Sequence, residues 1–246
     1  MRSIPWIDAR WTGRLRAAGL SVVGTVALVP GTANASSFRV SPVTLTLPAN
    51  RPVGSLTITN GDTAPVAIRV TTYRWTQVAG ADVYTPNDDL IASPPIFTTP
   101  AKAVQLIRVG LRRAGADAAY RVVLEEIPAP ATKGIRIAVN LNLPLYIVAD
   151  PAAKPAVRWT MRRGSDGALL LEGRNAGGMP LQVTAISSAG PGVPKLLTSA
   201  MGVVLPASMR HWNLGRHPDW TTGVPLHLIV QTALGVDEVT VDLPAG

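Results

Sequence analysis

The sequence predicts an all-β protein made of two β-sandwich domains. Three observations carry that prediction. Beyond residue 35, apolar and polar residues alternate with a period of two in segment after segment. Turn-forming residues interrupt these segments about every 8–15 residues, the rhythm of a sandwich. No stretch of a dozen residues there shows the 3.6-residue apolar period, with capping residues, that a helix requires.

The strands follow in order. Val53–Asn60 and Val66–Trp75 alternate cleanly, as do Val104–Val109 and Tyr120–Leu124. Between them stand Asn60-Gly61-Asp62, Pro86-Asn87-Asp88-Asp89 and Pro128-Ala129-Pro130, whose residue types favour turns. The longest candidate runs from Gly134 to Val148 and ends in the Pro/Ala stretch Ala149–Pro155, which reads as a linker. A second series opens with Val157–Met161 and passes through the hairpin signal Ser165-Asp166-Gly167. It continues through Ala168–Leu171, Leu181–Ile186, Met209–Leu214, Leu226–Thr232 and Val239–Leu243. The natural partition is an N-terminal domain over 36–150 and a C-terminal domain over 151–246.

Residues 1–35 read as an address rather than as structure. Arg2, Arg10, Arg14 and Arg16 precede the apolar run Ala17–Val29, and Pro30-Gly31 and the small triplet Ala33-Asn34-Ala35 close it. That is a secretory signal with cleavage expected between Ala35 and Ser36. The run is shorter than the roughly 20 apolar residues a membrane-spanning helix needs. The formal charge of +8 on the 246-residue chain invites a nucleic-acid partner. Cleavage removes four of 23 basic and one of 15 acidic residues, leaving +5 on the mature chain. The remaining cations are scattered, with Arg112-Arg113 and Arg162-Arg163 the only basic doublets, and aromatics are 5% of the chain. A phosphate-binding stripe interleaved with stacking aromatics is therefore not expected.

Enzyme chemistry finds little to stand on. The chain has no cysteine, which excludes disulfides, thiol nucleophiles and cysteine-ligated metals. Its three histidines, His211, His217 and His227, show no i,i+4 pair. Glu125 and Glu126 are strand neighbours and point to opposite faces, while Asp88-Asp89 lies in a turn. No nucleophile-elbow, metalloprotease, phosphate-loop or dinucleotide fingerprint is present. We expect no catalysis and no cofactor. Trp75, Trp159, Trp212 and Trp220 read as core and domain packing rather than as a ligand box.

One strand is unusual. Ile135, Ile137, Val139, Leu141, Leu143 and Leu145 place an apolar side chain at every second position of the same segment. Such a row is either an ordinary core strand or, in part, an outward edge kept for pairing with another chain. Periodicity alone does not separate the two.

Several segments point to a known family. They are Phe38-Arg39-Val40-Ser41-Pro42, Leu56–Asn60, Tyr73–Gln77, Asp88–Phe97, Ile107–Leu111 and Tyr120–Pro128. They continue with Leu143-Pro144-Leu145-Tyr146-Ile147, Arg174–Gly178, Val204-Leu205-Pro206 and Arg210-His211-Trp212. In this order and spacing the mature chain resembles the periplasmic chaperones of the chaperone–usher pilus pathway, with the flavour of the archaic, spore-coat-U-type branch. The resemblance implies two immunoglobulin-like domains in an L-shaped arrangement and a chain that binds and stabilises pilus subunits. Subunits of this pathway lack their last strand. The chaperone lends them an edge strand until they reach an outer-membrane usher, which implies donor-strand residues Ile135, Ile137, Val139 and Leu141 here.

The resemblance departs from its better-known branch at one point. There, an Arg on the first strand and a Lys late on the donor strand hold the subunit's terminal carboxylate. The corresponding positions here are Thr44 and Pro144, with Asn142 nearby. A carboxylate in a partly desolvated cleft still favours the bidentate arginine fork, so Arg121 and then Arg108 are the candidate anchors. An uncovered apolar edge also implies self-capping or dimerisation when no subunit is bound. The competing function is a two-domain immunoglobulin-like adhesion module, in which the 135–145 row would be buried.

Overall fold

The computed structural model describes residues 38–113, 115–128, 137–190 and 193–243, and every regular element among them is a β-strand. The first half of the chain gives β1 (Phe38–Ser41), β2 (Leu45–Pro48), β3 (Val53–Asn60), β4 (Val66–Val78) and β5 (Ala81–Pro86). These are followed by β6 (Leu90–Ser93), β7 (Ile96–Thr99), β8 (Val104–Leu111), β9 (Ala118–Ile127) and β10 (Asn140–Val148). They form two sheets, one in the order β1-β3-β8-β6 and one in the order β2-β10-β9-β4-β5, with β7 also paired to β4. The pairings are antiparallel except that of β10 with β2, which is parallel from Leu145 opposite Leu45 to Val148 opposite Pro48.

The period of two decides what lies between these sheets. Leu56 and Ile58 of β3 and Ile107 and Val109 of β8 face inward from one sheet. Ile68 and Val70 of β4, Val122 and Leu124 of β9, and Leu145 and Ile147 of β10 face them from the other. Each such side chain contributes about 1.5–3 kcal/mol by leaving water. The expected strands at 53–60, 66–75, 104–109 and 120–124 are all present, several of them longer at their ends.

Strands β5, β6 and β7 carry no strong alternation and are formed by their connections. The β4–β5 hairpin closes with Val78 opposite Ala81, and its two turn residues, Ala79 and Gly80, have φ of 49° and 82°. Two consecutive positive φ values make the turn whose twist matches that of the flanking strands. Strand β10 also differs from expectation. The sequence suggests one strand from Gly134, whereas the described ladder begins at Asn140, preceded by an isolated bridge residue at Ile137.

A buried asparagine secures a turn in each half. Asn60 is 1% exposed and donates through Nδ2 to the carbonyls of Ala64, Thr99 and Pro100, while its Oδ1 accepts the N–H of Asp62. Asn175 does the same with the carbonyls of Met179 and Val204 and the N–H groups of Ala156 and Gly177. Removing such a hub strands buried carbonyls and N–H groups, each costing about 1–3 kcal/mol. Asn60→Ala is therefore expected to destabilise the first half by about 3 kcal/mol in urea unfolding.

The second half begins with β11 (Val157–Arg163), β12 (Leu169–Asn175), β13 (Leu181–Ser188) and β14 (Lys195–Thr198). It ends with β15 (Gly202–Val204), β16 (Met209–Gly215), β17 (Pro225–Thr232) and β18 (Gly235–Asp242). One sheet runs β11-β12-β16 and the other β14-β13-β17-β18, with β15 on β13. Leu169, Leu171, Val183, Ile186, Leu228 and Val230 fill the space between them, and Trp159 packs against Trp212 at 5.6 Å. A third, smaller core joins the halves: Trp75, Ala119, Tyr146 and Val148 from the first meet Val203 and Leu205 from the second.

Candidate functional site

Strand β10 passes gradually out of the first core. Leu145 and Ile147 are fully buried and Leu143 nearly so, Leu141 and Val139 are half-buried, and Ile137 is 57% exposed. The unusual apolar row is thus core at one end and surface at the other. On one side β9 pairs with β10 along Asn140–Ile147; on the other β2 covers only Leu145–Val148. Among the described residues no strand pairs with the far edge of Asn140–Pro144. Pro144, which has no N–H, sits where β2's cover begins, a position that edges tolerate. The backbone N–H of Glu126 donates to the Val139 carbonyl at 3.0 Å, and the Val139 N–H donates to Oε2 of Glu126 at 3.0 Å. Ile135 lies outside the described residues.

The outer face of the same sheet carries the second feature. The register aligns Tyr84, Trp75, Ala119 and Tyr146 in one cross-strand row, and Pro86, Tyr73, Arg121 and Pro144 in the next. Ala119 adds only a methyl group between Trp75 and Tyr146, which leaves space for Arg121 to lie over the aromatic row. Its guanidinium carbon is 3.8 Å from the Trp75 ring centre and 5.8 Å from that of Tyr84. Such stacking is worth about 0.5–2 kcal/mol when desolvated. Arg121 Nε is buried without a hydrogen-bond partner, and Arg121 forms no ion pair among the described residues. Arg121 as a whole is half-buried, and its buried Nε–H is a donor that no described residue accepts.

Arg121 lies directly opposite Pro144 in the β9–β10 ladder. The candidate anchor Arg121 therefore stands one strand over from the Pro144 position. Arg108 stands elsewhere, exposed on the outer face of the other sheet between Ser55 and Ser93, so the structure does not bring the two candidates together. Thr44 is exposed just ahead of β2.

The platform beneath Arg121 is tied to the second half of the chain. Asp82, on the same face of β5, accepts from Trp75 Nε1 at 2.9 Å, from Gln77 Nε2 at 2.8 Å and from Arg210 Nη1 at 2.6 Å. Gln77 also donates to the Val203 carbonyl and accepts the Leu205 N–H. Burial pushes the Asp82 carboxyl up, but the hydrogen bonds from Gln77, Arg210 and Trp75, with the Arg210 charge, outweigh it and hold Asp82 below its ordinary value. Its contribution to stability is therefore present above about pH 4 and lost as pH falls through the lowered value. Sequence inspection does not single out Asp82, Gln77 or Arg210, because their shared face depends on the Ala79-Gly80 turn setting the hairpin register.

Two further predictions test this junction. A Cβ on Gly80, at φ +82°, would lie 2.3 Å from Nδ1 of His211. That ring is held by Arg162 and Glu172 and has little freedom to retreat. Gly80→Ala is expected to cost about 1–3 kcal/mol in denaturant unfolding. Tyr146 is pushed up to about 12, chiefly by burial; the Arg121 charge opposes the shift, and Asp82 and Tyr84 add to it. Its contribution is fully present below pH 10 and lost as pH rises from there through about 12. The fall in melting temperature between about pH 9 and about pH 11.5 should be smaller in Tyr146→Phe.

Two sandwiches in one chain, the first with a partly uncovered edge strand, define a two-domain immunoglobulin-like chaperone fold. Residues 37–152 match the family model of the pili and flagellar-assembly chaperones, PapD N-terminal domain. The fold is similar to that of the chaperone–tip adhesion subunit pre-assembly complex CsuC–CsuE from archaic chaperone–usher Csu pili of Acinetobacter baumannii. That likeness has a TM-score of 0.63 at 17% identity and covers 83% of this chain and 98% of that one. The Salmonella enterica SafA pilin–SafB chaperone complex gives 0.59 at 16% identity, covering 86% and 98%. The E. coli chaperone DraB gives 0.58 at 16%, also covering 86% and 98%. No curated protein matches by sequence. Residues 37–152 thus match a PapD-type pilus-assembly chaperone domain, and the described fold as a whole is PapD-like.

Proposed function

We propose that this protein is a periplasmic chaperone that captures pilus subunits by lending them β10 and delivers them to an outer-membrane usher. One observation supports this above the others: the apolar row leaves the core along an edge that β2 does not cover, so Ile137, Val139 and Leu141 are available to fill a groove in an incomplete sandwich. Main-chain bonds from the open edge supply affinity, and the alternate side chains supply fit. The two relatives solved with a subunit, CsuC–CsuE and SafA–SafB, support a pilus subunit as the occupant. The likeness to CsuC supports the archaic branch.

In this reading Ile135 extends the inserted row, and Arg121 holds the subunit's terminal carboxylate. Residues 1–35 direct export and are cleaved after Ala35, leaving a subunit-binding domain over 36–150 and a second domain over 151–246. Binding is reversible because it is non-covalent throughout, and a free donor edge favours self-capping when no subunit is present. The test is co-expression with candidate pilus subunits, short exported β proteins, from the same organism. Subunits should accumulate in the periplasm only with the wild-type donor edge. Their equal accumulation without the chaperone would sink the proposal and favour an adhesion module.

A further inference from the structure

We infer that the second domain assembles the anion site of the first: Arg210, acting through Asp82, fixes the Trp75 indole as the platform on which Arg121 is held. This inference rests on the reading of Arg121 as an anchor for a chain-terminal carboxylate. The chain of contacts is short and specific. Arg210 of β16 meets Asp82 Oδ2 at 2.6 Å, and Asp82 Oδ1 takes the Trp75 indole N–H at 2.9 Å. The Trp75 ring in turn lies 3.8 Å beneath the Arg121 guanidinium. Arg210 and Asp82 are partly buried, with side-chain exposures of 22% and 19%, so neither is a freely solvated surface charge. Gly202 adds to the constraint, since a Cβ there would lie 2.2 Å from Arg210 Nε, and the guanidinium is thus packed against bare backbone.

The physical consequence is directional. An indole whose N–H has a fixed acceptor cannot rotate in its plane or tilt without losing a buried hydrogen bond. Arg121 has an unsatisfied Nε, and the described residues give it no ion pair, so the ring beneath supplies its positional support. Losing Arg210 leaves Asp82 with Trp75 and Gln77 but without its cation, freeing the carboxylate to turn toward water or toward Arg121. In either case the anion site is disordered or internally neutralised. Arg210 and Asp82 are positioning residues that make carboxylate binding depend on correct docking of the two domains.

The experiment uses the whole mature chain with nitrogen-15 arginine and tryptophan side chains, following the Arg121 Nε–H and Trp75 Nε1–H resonances. The probe is an N-acetylated dipeptide with a free carboxylate, with its C-terminal amide as the comparison. The wild type should show a saturable Arg121 shift with the carboxylate and none with the amide. Arg210→Met should move both resonances in the free protein and weaken the titration about tenfold. Arg210→Lys should restore most of it, and Arg158→Met, the same charge change at an exposed strand position, should leave it unchanged. Asp82→Asn, which keeps an acceptor for Trp75, covers the case in which Arg210→Met does not fold, and should shift the same two resonances. Wild-type titration in Arg210→Met or Asp82→Asn overturns the inference, as does equal weakening in Arg158→Met. Loss of the wild-type shift altogether overturns the carboxylate site itself. The chaperone reading is judged separately, by subunit capture with donor-edge variants.

Discussion

Ile137→Asp combined with Val139→Thr should abolish subunit capture while leaving the protein folded. Ile137 is 57% exposed, and a substitution at such a position away from the core shifts stability by only about 0.5 kcal/mol. Threonine at 139 keeps the backbone N–H that bonds Glu126 and avoids a second carboxylate beside it. In a subunit groove, by contrast, a buried aspartate and a hydroxyl lose the apolar burial of two side chains, about 1.5–3 kcal/mol each, and add a desolvation cost. Capture should fall by at least about a hundredfold on these figures. Leu145→Ala, two positions beyond Leu143 in the same row, should do the opposite. Leu145 is fully buried, so the cavity costs about 2–5 kcal/mol of stability and any loss of capture follows from unfolding. Pull-down and thermal melting of the two variants side by side separate donor edge from core. A donor-edge variant that melts like Leu145→Ala would make the whole row ordinary core.

Arg121→Ala is the second large effect. A charge-assisted bond to a carboxylate is worth about 1.5–3 kcal/mol, so subunit affinity should fall by roughly 10- to 150-fold. Arg121→Lys should recover part of this at most, because lysine keeps the charge but loses the planar stack over Trp75 and the bidentate fork. Stability should fall in either variant by no more than the stack over Trp75 is worth, about 0.5–2 kcal/mol, since Arg121 Nε has no hydrogen-bond partner to lose. Capture that is unchanged in Arg121→Ala would remove this anchor. Arg108→Ala, on the outer face of the other sheet, provides the comparison.

Much of this architecture is legible in local patterning. Alternation at Val53–Asn60, Val66–Trp75 and Leu226–Thr232 reports which side chains leave water, and burial follows it in β3, β4 and β17. The hairpin signal at Ser165-Asp166-Gly167 becomes a turn in which Gly167 has φ 81° and Asp166 accepts the Ala168 N–H. The apolar row from 135 to 145 is legible too, but its division is not. Whether Leu145 and Ile137 share one environment depends on how far β2 runs alongside β10, and β2 is distant in sequence.

The candidate anchor shows the same limit. Thr44 and Pro144 reveal that the usual cations are missing, and Arg121 can be named as a substitute. Only the ladder shows that Arg121 faces Pro144 across one strand spacing and lies on Trp75. Gln77 and Arg210 fall in segments that carry the resemblance, but nothing in the sequence brings them together with Asp82. Their convergence requires the Ala79-Gly80 turn to set one register and β16 to approach from the other half of the chain.

The sequence by itself therefore determined an all-β, cysteine-free chain of two sandwiches with one over-long apolar strand, because strand periodicity and turn chemistry are local properties. The tertiary structure alone decided where that strand stops being core and, among the described residues, which arginine has a buried Nε without an acceptor. It also decided how the second half braces the first. Edge coverage, desolvation and cross-sheet contact are set by residues far apart in the chain, and no window along the sequence contains them.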